Sequence, residues 1–207
     1  GRPALKGSIR YLPSPQIAVG PDGAIHVIYA KDPDGMGSGD VVNSYYRRST
    51  TNGASWDAEV QLNDVGTNDQ FFPSLSVGAT NTVSAAWYDR RDDVPGNLRI
   101  RYYSSLSFDG GATWGANVQL TDADSPVVID AGLATCYHGD YDTMVTDSSK
   151  TYALWSDDRR GDADVYFDSI SFPVCGNGVR EGTKQCDGAD LKGKSCGTVH
   201  CRVGTPI

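Results

Sequence analysis

Along the first 170 residues, short apolar or alternating runs are separated by clusters of Gly, Asp, Asn, Ser and Pro. Runs this short, bounded by turn-forming residues, predict β-strands rather than helices. In the middle of the chain they fall at 72–78, 82–88, 98–105 and 116–120. Upstream counterparts lie near 16–20, 24–30, 41–48 and 58–62. A third set, near 141–146, 151–155 and 163–170, has three members. The acids agree with this reading. Of 26 acidic residues only Glu59 and Glu181 are glutamate, the helix-favouring one, while Gly is 24 and Pro 10. An all-β, turn-rich chain is expected.

The sets repeat at the residue level. Arg48-Ser49-Thr50-Thr51-Asn52-Gly53-Ala54-Ser55-Trp56 returns as Leu106-Ser107-Phe108-Asp109-Gly110-Gly111-Ala112-Thr113-Trp114. Val60-Gln61-Leu62-Asn63-Asp64 returns as Val118-Gln119-Leu120-Thr121-Asp122, and Trp87-Tyr88-Asp89-Arg90-Arg91 as Trp155-Ser156-Asp157-Asp158-Arg159. Four antiparallel strands recurring with such markers describe the blades of a propeller. Strand spacing alone would also permit a β-sandwich. The stretch Ser107-x-Asp109-x-Gly111-x-Thr113-Trp114 has the Asp-box pattern. Through it, residues 7–170 resemble the Asp-box (BNR-repeat) propellers of the sialidase superfamily. The first copy is degenerate, with Thr51 at the Asp position and Ser55 for Thr, and the third unit has none. Asp109 is expected to staple a turn between third and fourth strands rather than to catalyse.

Residues 1–171 are read as three four-stranded blades and 172–207 as a separate Cys-rich module. The third blade has only three runs of its own, and residues 3–6 are one possible source of a fourth strand. Three blades do not close a propeller. The expectation is part of a six-bladed ring, completed by upstream blades or by a second chain. Four of the five cysteines, Cys175, Cys186, Cys196 and Cys201, lie in the tail, which favours disulfides in an oxidising compartment over zinc. The Cys175-Gly176-Asn177-Gly178 run with Glu181 and Cys186-Asp187 is similar to the Cys-rich modules of secreted or surface proteins. That likeness implies export.

Net charge −8 and a sequence pI of about 4.7 argue against nucleic-acid binding. No run is long and apolar enough for a membrane-spanning helix. Blade geometry places the loops before first strands and after second strands on one face. That face collects Arg10, Tyr11, Asp69, Phe71, Asp89, Arg91, His138, Asp140, Tyr141, Asp157 and Arg159 as a candidate ligand-binding surface. The Asp–Arg pairs have a second reading, as ion pairs that join neighbouring blades. His138 is read as an acid–base group or ligand, or as a hydrogen-bonded structural residue. Cys136 is buried, paired or reactive.

The sialidase resemblance implies three arginines around a substrate carboxylate, for which Arg10, Arg91 and Arg159 are placed, and a tyrosine nucleophile, for which Tyr141 is placed. Neither glutamate sits where it would activate that tyrosine, and the Phe-Arg-Ile-Pro signature is absent. No catalytic residue is therefore assigned. Asp32, Asp34 and Asp40 in a Gly-rich loop form a weak candidate calcium site beside the simpler reading of a solvated hairpin. The expected function is a secreted or surface-associated propeller that binds a glycan or cell-surface polymer. The alternative is an exo-sialidase-like glycoside hydrolase.

Overall fold

The computed structural model describes residues 5–7, 9–33, 41–127, 137–139 and 141–173. These residues contain eleven strands and no helix. β1 (Gln16–Val19), β2 (Ile25–Lys31), β3 (Asn43–Ser49) and β4 (Val60–Gln61) form one antiparallel sheet in chain order. β5 (Gln70–Val77), β6 (Val83–Asp89), β7 (Arg101–Ser107) and β8 (Val118–Gln119) form a second. β9 (Thr143–Thr146), β10 (Lys150–Asp157) and β11 (Asp164–Ser171) form a third. The third sheet has three strands among the described residues, where a four-stranded blade was expected. Residues 3 and 4 lie outside those described.

The sheets stack as propeller blades. β5 lies against β1, β2 and β3 on one side and β9 on the other, so the strand predicted over 72–78 is innermost. That position separates blades from a sandwich, in which it would form an outer edge. The central blade is covered on both faces, and its sequence shows why. Every residue of β6 is buried, and successive side chains go opposite ways. Val83, Ala85 and Trp87 join Ile28, Tyr46, Leu75 and Tyr103 between the first two blades. Ala86 and Tyr88 join Phe71, Tyr102, Met144 and Trp155 towards the third. Fully burying a side chain the size of Trp87 contributes roughly 1.5–3 kcal/mol or more.

The outer blades bury one face each. Along β2 burial alternates strictly, with Ile28 and Ala30 inside. Ile17 and Val19 on β1 are exposed, as are Val145, Val165 and Phe167 on the third blade.

Polar groups also join the blades. Gln16 accepts from the Leu75 amide at 2.9 Å and donates to the Asp142 carbonyl at 3.4 Å. Ser74 donates to that carbonyl at 2.9 Å. One glutamine of the first blade thus touches both others. A bulge between Phe71 and Ser74 interrupts the β5 register at Pro73, where a ladder amide is lost anyway. Phe72 there takes φ 47°, and both phenylalanines pack inward.

The β7–β8 hairpin shows what Asp109 does. Its carboxylate accepts from the Thr113 amide at 2.8 Å, the Thr113 hydroxyl at 2.6 Å and the Ser107 hydroxyl at 2.8 Å. Burial opposes the charge, but these donors hold the Asp109 carboxyl below its ordinary value. In the β3–β4 hairpin Thr51 stands in the same place. Its hydroxyl oxygen accepts from the Ser55 amide at 2.9 Å, and Ser49 takes the Gly53 amide as Ser107 takes that of Gly111. The degenerate copy closes the same turn with a neutral oxygen.

Candidate functional site

Each Trp-x-Asp-x-Arg run ends a second strand and turns back on itself. Trp87 Nε1 donates to Asp89 at 2.9 Å, and the Arg91 amide and guanidinium reach the same carboxylate at 2.8 and 2.6 Å. Arg91 also donates to Asp64, beyond β4, at 2.5 Å and lies 4.2 Å over the Tyr103 ring. The second copy repeats every contact. Trp155 reaches Asp157 at 3.3 Å, the Arg159 amide and guanidinium follow at 2.9 and 2.6 Å, and Arg159 pairs with Asp122 and covers Tyr166 at 4.2 Å. Each arginine therefore grips one carboxylate of its own blade and one from the outgoing end of the preceding blade. Burial opposes the charge on Arg91, but its two aspartates raise its pKa. Both guanidinium side chains are largely covered, with relative exposures of 9% and 14%.

Asp69 serves a separate cluster. It pairs with the fully buried Arg90 at 3.3 Å and accepts from Asn97 Nδ2 at 2.9 Å. Burial leads the effects on Arg90 and lowers its pKa. Arg10 lies 5.5 Å over the Tyr137 ring. Asp140 and Cys136 lie outside the described residues, as do Asp34 and Asp40 of the candidate calcium loop. Asp32 is described, and among the described residues no group of three or more His, Cys, Asp or Glu is arranged to hold a metal.

Of the candidate residues, His138 and Tyr141 come together, in a cleft of about 290 Å³ at the top of the third blade. Its walls are Tyr137, Tyr141, Leu154, Trp155 and Val165, and Ser156 and Gly139 also line it. Tyr141 is 88% exposed and stands at the rim. His138 is buried and its Nδ1 lies 3.0 Å from Asp158 Oδ2. A carboxylate oxygen only accepts, so Nδ1 carries the proton and Nε2 presents a lone pair when the ring is neutral. That Nε2 is buried and has no hydrogen-bond partner.

Asp142, absent from the sequence-based candidates, completes the cleft. Its Oδ1 accepts from the Tyr88 hydroxyl at 2.7 Å and the Ser156 amide at 3.2 Å. Its Oδ2 is buried without a partner. Burial pushes the Asp142 carboxyl up to about 6, against the opposing pull of Tyr88, the Ser156 amide and His138. Two residues that line this cleft, one through a nitrogen and one through an oxygen, thus each keep a buried polar atom without a partner. Other buried polar atoms in the described residues also have no partner, but these two belong to residues that share one cleft.

Comparison with known proteins addresses the fold. No family model matches the chain, and no curated protein matches it. An α-L-arabinanase of Penicillium chrysogenum, solved with arabinobiose, is 16% identical over 82% of this chain and 49% of its own, with a TM-score of 0.50. A Dyadobacter fermentans protein of unknown function is 14% identical over 82% of this chain and 54% of its own, also at 0.50. A Hadza microbial sialidase aligns over 75% of this chain and 34% of its own, at 15% identity and a TM-score of 0.47. The chain spans between about a third and a half of the length of these structures. The chain is all-β and carries blades of the β-propeller fold. No helix among the described residues is long and apolar enough to cross a membrane.

Proposed function

We propose that this chain is a carbohydrate-binding propeller portion of a secreted or surface-associated, sialidase-like protein, and that the cleft at His138 and Asp142 is where a glycan binds. The observation that carries this reading is the pair of unpartnered buried atoms, His138 Nε2 and Asp142 Oδ2, beneath an aromatic rim. Sugars present hydroxyls that satisfy such atoms and C–H faces that stack on rings. The arabinanase neighbour was solved with arabinobiose, a neutral disaccharide. The test is titration of the chain against a glycan array, with Tyr141→Ala alongside. Binding that weakens in Tyr141→Ala at an unchanged melting temperature supports the reading, and no glycan binding at all defeats it.

A second reading, glycoside hydrolysis, is favoured by the Asp142 carboxyl near 6, a value suited to an acid–base group. Release of a fluorogenic aglycone, lost in Asp142→Asn, would establish it in place of simple binding.

A further inference from the structure

The cleft also discriminates by charge. We propose that it takes a neutral saccharide, held through its hydroxyls by Asp142 Oδ2 and His138 Nε2, and turns away sugars that bear a carboxylate. This rests on the saccharide reading above and narrows it.

Three observations converge. First, the described lining residues include no lysine or arginine, and their polar side-chain atoms are those of Asp142, His138, Ser156, two tyrosines and Trp155, whose Nε1 is taken by Asp157. Second, of the three arginines expected around a carboxylate, Arg10 lies 5.5 Å over the Tyr137 ring and is not among the lining residues, and the other two are already engaged. Arg159 is held by Asp157 and Asp122, and Arg91 by Asp89 and Asp64. Freeing either would strand a buried carboxylate, since the side chains of Asp89 and Asp157 are 0% and 1% exposed. Third, the surrounding sequence is acidic. From Asp122 to Val165 the chain carries ten aspartates against Lys150, Arg159 and Arg160. Lys150 begins β10, whereas the cleft is lined from the other end of that strand.

The consequence is a site with acceptors for hydroxyl protons and no fork for a carboxylate. Asp142 Oδ2 accepts from one hydroxyl when ionised and donates to one when protonated. His138 Nε2 accepts from another, its tautomer fixed by Asp158. An anionic sugar brings a like charge beside Asp142 into a cleft whose described lining holds no cation, and like-charge juxtaposition is one way recognition sites exclude wrong partners.

The test uses matched pairs that differ only in the acid: oligogalacturonides against their methyl esters, and 3′-sialyllactose against its sialyl methyl ester. Binding to the 207-residue chain is followed by calorimetry at pH 7.5, and NMR shifts of His138 and Trp155 report whether the ligand sits in the cleft. The neutral member of a pair should bind roughly tenfold or more tightly than the acidic one. Asp142→Asn should narrow that gap by admitting the acid, and His138→Gln should weaken the neutral ligand. Equal or tighter binding of the acidic member, with shifts at His138, overturns the inference and leaves the saccharide reading standing. If neither member of either pair nor any array glycan shifts these signals, both fall together.

Discussion

Tyr88 of the central blade donates its hydroxyl to Asp142 Oδ1 at 2.7 Å and accepts from the Ser156 amide at 2.9 Å. A single phenol thus sets the carboxyl that opens the third blade and the strand end beside it. Burial raises the Tyr88 pKa well above its ordinary value, so it stays a neutral donor. Asp142 keeps one oxygen satisfied in the core and the other buried without a partner, in a residue that lines the cleft.

This arrangement links stability to pH. The folded Asp142 carboxyl titrates near 6, above its ordinary value, so the folded state holds the proton more tightly than the unfolded chain. Stability from this group is fully present below the unfolded value near 3.9 and is lost as pH rises through about 6. Asp142→Asn keeps the acceptor for Tyr88 and never ionises. It should exceed the parent by up to about 3 kcal/mol at pH 8 and by little at pH 4. Denaturant melts at the two pH values check this, and a constant difference would show that Asp142 does not carry the linkage.

Arg91 should be needed for folding stability. Its removal strands Asp89 inside the molecule, and breaking a buried pair costs roughly 3–5 kcal/mol. Arg91→Ala should lose that order of stability. Arg91→Lys should recover only part of it, because an ammonium cannot bridge Asp89, Asp64 and Asn117 while lying flat on Tyr103. Full recovery by lysine would reduce the arrangement to a simple charge.

The two hairpin glycines should respond differently to alanine. Both Gly53 and Gly111 have φ 83°, a left-handed conformation unfavourable for alanine. Around Gly53 a new methyl meets open space, and the cost should be about 1 kcal/mol. At Gly111 the methyl would fall 1.9 Å from the Tyr46 hydroxyl, which is itself held by His26 at 2.6 Å. Gly111→Ala should therefore be the more destabilising by a clear margin in thermal melts.

Asp109→Ala should lower stability by roughly 1–3 kcal/mol, through loss of its turn partners, and leave glycan affinity unchanged. Loss of binding at full stability would move the site to the hairpin face.

Most of the blade pattern is legible in the residues because the signals are local. Val83–Asp89 and Lys150–Asp157 are found within a residue or two of where their apolar runs predict strands. Repeats of Trp-x-Asp-x-Arg reveal Asp–Arg pairing, although not that each arginine holds a second aspartate in the preceding blade, because Asp64 and Asp122 are distant in sequence. His138 stands out as one of three histidines. Asp142 does not, being one aspartate among many. Its character comes from Tyr88, far back in the chain, and from burial that only the packing of blade on blade creates.

The two-sided burial of β6 has a dynamic consequence. Where each repeat touches only its neighbours, stability is shared between a unit and its flanking interfaces. Within the 207-residue chain taken by itself, the middle blade has two such interfaces and the flanking ones, with Ile17, Val19, Val165 and Phe167 exposed, have one each. Local opening should therefore grow easier away from the centre, and amide protons should exchange most slowly along β6 and fastest along β1 and β11. In this isolated chain the cleft on the third blade thus borders one of the more readily opened parts, while the tyrosine that positions its carboxyl belongs to the most protected.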